Sequence, residues 1–165
     1  MKLLLNLAIV WVVLHGVGAL AQESVPKFSD YPARVIPARR WSVKVQIHST
    51  PYTSCFRTRL RDSAMSGQLF AGHYAFGYWG CGTCVQVGIV DLLSGRAYTS
   101  PFMVSSPAGV YKLKPNSRLL VVEGDDYGTL YFLWTGRHLL PIFNGRVQRR
   151  ELEPTFKTCA EAARS

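Results

Sequence analysis

HYAFGYWGCGTCVQVGIVDLLSGRAYTSPF, residues 73–102, holds three strand-like runs separated by two turns. In the first run, 73–79, Tyr74, Phe76 and Tyr78 recur at every second residue, and residues two apart share one face of a strand. The second, 85–92, is the β-branched stretch Val85-Gln86-Val87-Gly88-Ile89-Val90. Leu93-Ser94-Gly95 is turn chemistry, and the third run, 96–102, follows it. The pattern predicts a three-stranded antiparallel meander.

A second meander is predicted at 118–143. Its runs are 118–124, 129–134 and 138–143, with turns at Asp125-Asp126-Tyr127-Gly128 and Thr135-Gly136, and Phe132 and Trp134 share a face. Both units place a glycine in the turn before the last strand. In this they resemble β-propeller blades, where a strand ending near Asp leads through Ser/Thr-Gly-Lys/Arg into the next. A closed ring needs about four blades or more, and this chain has room for two or three. The expected fold is therefore mainly β, with antiparallel meanders arranged as two packed sheets or as blade-like units.

Around the meanders, alternation of apolar and polar residues over 41–47 predicts a further half-buried strand. Phe56, Leu60 and Ala64, spaced by four among arginines, predict an amphipathic helix over 55–66. A short closing helix is expected over 155–164, after Pro154. Residues 22–38 contain Pro26, Pro32 and Pro37 with no apolar period and read as an extended, mobile arm.

The start of the chain reads as a signal peptide over 1–21. Lys2 precedes an apolar run from 3 to 14, and Ala19-Leu20-Ala21 supplies small-x-small cleavage chemistry. The run is shorter than the roughly 18–20 residues that span a bilayer. No cysteine follows the cleavage motif to take a lipid, so a soluble periplasmic or secreted protein is expected, with no stable membrane insertion. Cleavage leaves 144 of the 165 residues, a single β-rich domain over 39–165 behind the arm.

The chain carries 19 Lys and Arg against 10 Asp and Glu, a net charge of +9, or +8 once Lys2 leaves with the signal. Arginines cluster at 34, 39 and 40, at 57, 59 and 61, and at 146, 149 and 150. Such clusters attract anionic partners over long range. An exported protein meets acidic proteins and anionic envelope components rather than nucleic acid.

Four cysteines in an exported chain argue for two disulfides. Three connectivities are open, and Cys81–Cys84 with Cys55–Cys159 is the favoured one. A Cys-x-x-Cys pair has other readings, and each has requirements. Redox sites use a helix N-terminus to lower the first thiol's pKa, whereas a strand-like run follows Cys84. Zinc requires a second ligand pair close by. No G-x-S-x-G nucleophile elbow accompanies His73 or His48, and Asp125-Asp126 suits a hairpin turn better than a calcium loop or a glycosidase pair. No cofactor or metal is expected. Gly80 and Gly82 offer the positive φ values that a tight crossing between strands takes.

FRTRLRDSAMSGQLFAGHYAFGYWGCGTCVQVGIVDLLSGRAY at 56–98, followed by SRLLVV at 117–122, resembles a group of small exported bacterial proteins with the pattern F-A-G-H-Y, W-G-C-G-T, I-V-D, S-G-R and N-S-R-L-L. In that group the second cysteine falls one residue later, as C-x-x-x-C before Gln, whereas Cys84-Val85-Gln86 here gives C-x-x-C. A spacing that slips by one implies a structural loop rather than fixed thiol chemistry. The group's members are mostly uncharacterised, so the resemblance implies an exported β-protein and no activity.

Three function classes follow. The preferred one is a non-enzymatic exported binding protein, such as an inhibitor or immunity protein, whose surface comprises His73, Tyr78, Trp79, Gly80, Gly82, Thr83, Arg57 and Arg61. The second is a thiol-disulfide oxidoreductase using Cys81 and Cys84. The third is an envelope module that binds anionic cell-wall polymer through its arginines.

Overall fold

The computed structural model describes residues 24–50, 52–80, 85–99, 110–125, 128–149 and Cys159. Two antiparallel sheets make up its frame. The first contains β1 (Gln68–Phe70), β2 (Tyr74–Gly80), β3 (Val85–Asp91) and β4 (Ala97–Thr99), in that order. The second contains β5 (Val110–Lys112), β6 (Leu119–Asp125), β7 (Gly128–Trp134), β8 (Leu139–Phe143) and β9 (Arg146–Val147), again in sequence order. Both predicted meanders are present, each extended by short strands of two or three residues that carry no readable period.

Side-chain alternation sorts the apolar residues into three layers. Phe70, Phe76, Val87 and Ile89 of the first sheet pack with Leu120, Val122, Phe132, Trp134 and Leu139 of the second to form the central core. Trp134 is its hub, meeting the rings of Tyr74 and Tyr98 edge-on at 5.3 and 5.2 Å. The opposite face of the first sheet, with Ala75, Trp79, Val90 and Ala97, is covered by Leu60 and Ala64 of the helix. β3 is thus buried on both faces from Val85 to Val90, which explains its continuous apolar run.

The helix, α1, spans Arg57–Ser66 after a 3-10 turn at Thr53–Phe56. Leu60 is fully buried, which contributes about 1.5–3 kcal/mol. The last carbonyls, which have no partner within the helix, are met from outside. Gly67 N–H donates to Ser63 O at 2.8 Å, and Arg40 Nη1 reaches Ala64 O and Met65 O at 3.4 Å. Cys55 is bonded to Cys159, 104 residues away, with their Cα atoms 5.2 Å apart. The end of the chain is thereby tied to the start of α1. Cys81 and Cys84 lie outside the described residues, as do 1–21 and the tail expected to be helical, apart from Cys159.

α1 lies close to the sheet because two glycines lie beneath it. Gly77 and Gly88 are cross-strand partners. A Cβ on Gly77 would collide with Ser63 Oγ and stand 2.7 Å from Ser63 Cβ, and one on Gly88 would stand 2.7 Å from Leu60 Cδ2 and 2.8 Å from Trp79 Cη2. The two bare positions form a saddle in which the helix sits.

Three expectations are corrected. Residues 41–47 are not a strand: a 3-10 turn covers Arg40–Ser42, and only Gln46 makes a bridge, to Arg96. Their alternation is nonetheless real, with Val43 and Val45 packed under the first sheet. Their neighbour is the β3–β4 turn, which offers Gly95 O to Gln46 N–H at 2.8 Å but no ladder. Within the arm, the described residues form a bound strap. Phe28 and Tyr31 cover Leu119, Val121 and Ile142 on the outer face of the second sheet. Ser117 Oγ donates to Phe28 O at 2.8 Å, and Ile36 N–H to Gly72 O at 3.2 Å on the first sheet. Gly80 ends β2 without a positive φ, because β2 and β3 pair as far as Gly80 and Val85. The crossing itself falls to 81–84, so Gly82 and Thr83 lie outside the described residues.

Candidate functional site

β1 pairs with β2 only from Gln68–Phe76 to Phe70–Tyr74. Beyond Phe76, no described strand covers that edge of β2. A cleft of about 280 Å³ occupies the notch, lined by Arg59, Asp62 and Ser66 of α1, by Gly67 and Gln68, and by Gly77, Tyr78 and Trp79 of β2. Residues 59, 62 and 66 fall on one flank of a helix with 3.6 residues per turn, and that flank overhangs the notch.

Tyr78 is the aromatic wall. It follows Phe76 on the face turned toward the second sheet, but the sheets no longer enclose it there, and it remains 58% exposed. Tyr111 of β5 holds it in place, stacking on Tyr78 with centroids 4.8 Å apart while also packing against Phe76 at 5.5 Å. An exposed ring braced from behind loses little further freedom on contact with a partner. Arg59 and Asp62 are both exposed and make no ion pair with each other, so both charges are available to the cleft.

The residues expected at the binding surface separate. Tyr78 and the exposed Gly80 stand at the far end of β2. Trp79 contributes to the floor of the cleft, but its side chain is 7% exposed and lies against Phe56, at 5.2 Å, under α1. It is a core residue, because alternation along β2 turns it toward the helix. Arg57 and Arg61 are exposed on the opposite flank of α1, and Arg59 takes their place. His73 sits at the other end of β2, about 16 Å away at strand rise. Arg59, Asp62, Gln68 and Tyr111 were missed. The helical period could have placed the first two on one flank, whereas Tyr111 lies in a three-residue strand that leaves no pattern.

His73 and Asp91 serve the fold. Asp91 Oδ1 accepts from Leu93 N–H at 2.8 Å and Ser94 N–H at 3.2 Å, and Oδ2 accepts from Ser94 Oγ at 2.6 Å, closing the β3–β4 turn. His73 Nε2 lies 3.4 Å from the same Oδ1. An acceptor already committed to three donors is poorly placed to orient a catalytic base. Burial, and then the charge of Asp91, pushes the Tyr74 phenol above the usual tyrosine range. Among the described residues, no three His, Cys, Asp or Glu side chains converge as a metal site requires, and no helix is long and apolar enough to cross a membrane. A strand, not a helix, follows Cys84.

Gln86 stands opposite Trp79 in the β2–β3 register and is 1% exposed. Neither of its amide atoms has a hydrogen-bond partner, and nor has Trp79 Nε1. A buried amide without a partner costs about 1–3 kcal/mol. Gln86→Met, similar in volume and apolar, is therefore expected to raise the melting temperature by several degrees in a calorimetric scan. A fall of that size would show that the amide is satisfied within the fold.

Compared with known proteins, the chain matches no family model, no curated protein and no solved structure.

Proposed function

We propose that the protein is an exported, non-enzymatic binding protein of the cell envelope, and that it meets its partner at the Tyr78 cleft. The observation that carries this reading is Tyr78 itself, a large aromatic side chain 58% exposed and braced by Tyr111 at the mouth of a polar cleft. Aromatic side chains held rigid at a surface are the commonest anchors of recognition. The engagement of Asp91 in its turn, together with the strand that follows Cys84, favours binding over hydrolytic or thiol chemistry.

Retention of the purified protein on an immobilised envelope fraction tests the proposal. Tyr78→Ser is expected to weaken retention by about 10- to 30-fold, as loss of an interface anchor does, with the melting temperature unchanged. Retention that ignores Tyr78 but falls steeply with added salt would assign binding to the arginine clusters instead.

A further inference from the structure

The chemistry of the cleft also narrows the class of ligand, granted the binding role proposed above. We infer that the cleft takes a neutral or zwitterionic saccharide ring, as one unit of an oligosaccharide.

A sugar ring presents an apolar C–H face and a rim of hydroxyls that each donate and accept. The cleft offers the complement of both. Tyr78 supplies a fixed flat apolar face, while Asp62 accepts, Arg59 donates in a planar fork, and the Gln68 amide does each. About 280 Å³ lies at the small end of ligand-pocket sizes, suited to a ring or two rather than an extended ligand. The notch opens outward past Gly80, so a chain of rings can continue beyond it.

Charge and sterics exclude the other candidates. Asp62, standing in the cleft with no ion-pair partner, opposes a phosphate or a polyanion despite the +9 charge of the whole chain. Strand addition by a peptide is obstructed. The chain leaving β1 for α1 passes across the open edge at Gly67, where a Cβ would stand 2.5 Å from Phe76 O.

Titration of the isotope-labelled protein with chitotetraose, cellotetraose, tripolyphosphate and tetra-alanine, followed by amide NMR shifts, tests the inference. At least one saccharide is expected to shift Gly67, Gln68, Gly77 and Tyr78 saturably. Tyr78→Ala should weaken that binding about tenfold or more, Asp62→Asn should weaken it too, and Phe143→Ala, at a remote exposed ring, should leave it unchanged. Tripolyphosphate binding that tightens in Asp62→Asn would mean an anion site and overturn the inference. So would shifts caused by tetra-alanine alone, or silence with every saccharide. If the saccharides are silent while envelope retention still depends on Tyr78, this inference fails and the binding role stands. If retention is also indifferent to Tyr78, both fail.

Discussion

Replacing Cys55 and Cys159 together with serine lowers the melting temperature by about 10–20 °C. The bond closes a loop of 104 residues, for which chain-entropy arguments give about 4–5 kcal/mol, and a domain of this size loses a few degrees per kcal/mol. The cross-link also fastens the end of the chain to the 3-10 turn that launches α1, whose Leu60 and Ala64 cover the outer face of the first sheet. Cys81→Ser/Cys84→Ser provides the contrast, because a bridge there would close a loop of two residues and remove almost no chain entropy. Paired thermal scans of the two double variants check the prediction. Equal losses would mean that the long-range bond does not hold the helical layer in place.

Gly88→Ala and Gly77→Ala are each expected to cost about 2–3 kcal/mol, in the range of overpacked core sites. Elsewhere such a change can stabilise by narrowing the unfolded ensemble, by about 0.4–1 kcal/mol. Here the added carbon enters the saddle under α1. At Gly88 it meets Leu60 and the Trp79 ring, both buried, and at Gly77 it meets Ser63 Oγ and Cβ. Chemical denaturation curves measure the loss. Adding Ser63→Gly to Gly77→Ala should recover part of it, despite the cost of about 1 kcal/mol for glycine within a helix, because the two positions share one contact. A Gly77→Ala variant as stable as the parent would show that α1 moves freely over the sheet.

Much of the fold is legible along the chain because its long strands have two-residue periods. The Tyr74-x-Phe76-x-Tyr78 stripe and the β-branched stretch from Val85 to Val90 announce β2 and β3, and Leu93-Ser94-Gly95 announces the turn that Asp91 closes. Phe56, Leu60 and Ala64 place the helix at one face of a sheet, and the Cys55–Cys159 pair follows from compartment and cysteine count. Residues 41–47 carry the correct alternation but no strand, since half-burial along an extended segment needs only a neighbour and not a ladder. The three prolines of 22–38 look like a loose arm until Phe28 and Tyr31 are seen on Leu119 and Val121, contacts about ninety residues apart that no local pattern encodes.

The site was half legible. Tyr78 was identified from its stripe. Trp79, one residue on, belongs to the other face, and it is buried there for the same reason that Tyr78 is not. The switch from Arg57 and Arg61 to Arg59 depends on which flank of α1 overhangs the end of β1, and so on a tertiary contact. The brace from Tyr111 depends on a three-residue strand in the other sheet. Gly77 and Gly88 read as strand-weakening residues in isolation, and only the approach of Ser63 and Leu60 gives them a purpose.

Site-specific photocrosslinking tests the central claim most directly. A photoreactive phenylalanine analogue is placed at position 78 in one version of the protein and at the equally exposed position 143 in another, and both are illuminated with an envelope fraction. Position 78 is expected to give one discrete adduct, competed away by unlabelled protein, and position 143 none. An adduct from 143 with none from 78 would contradict the assignment of the Tyr78 cleft as the place where this protein meets its partner.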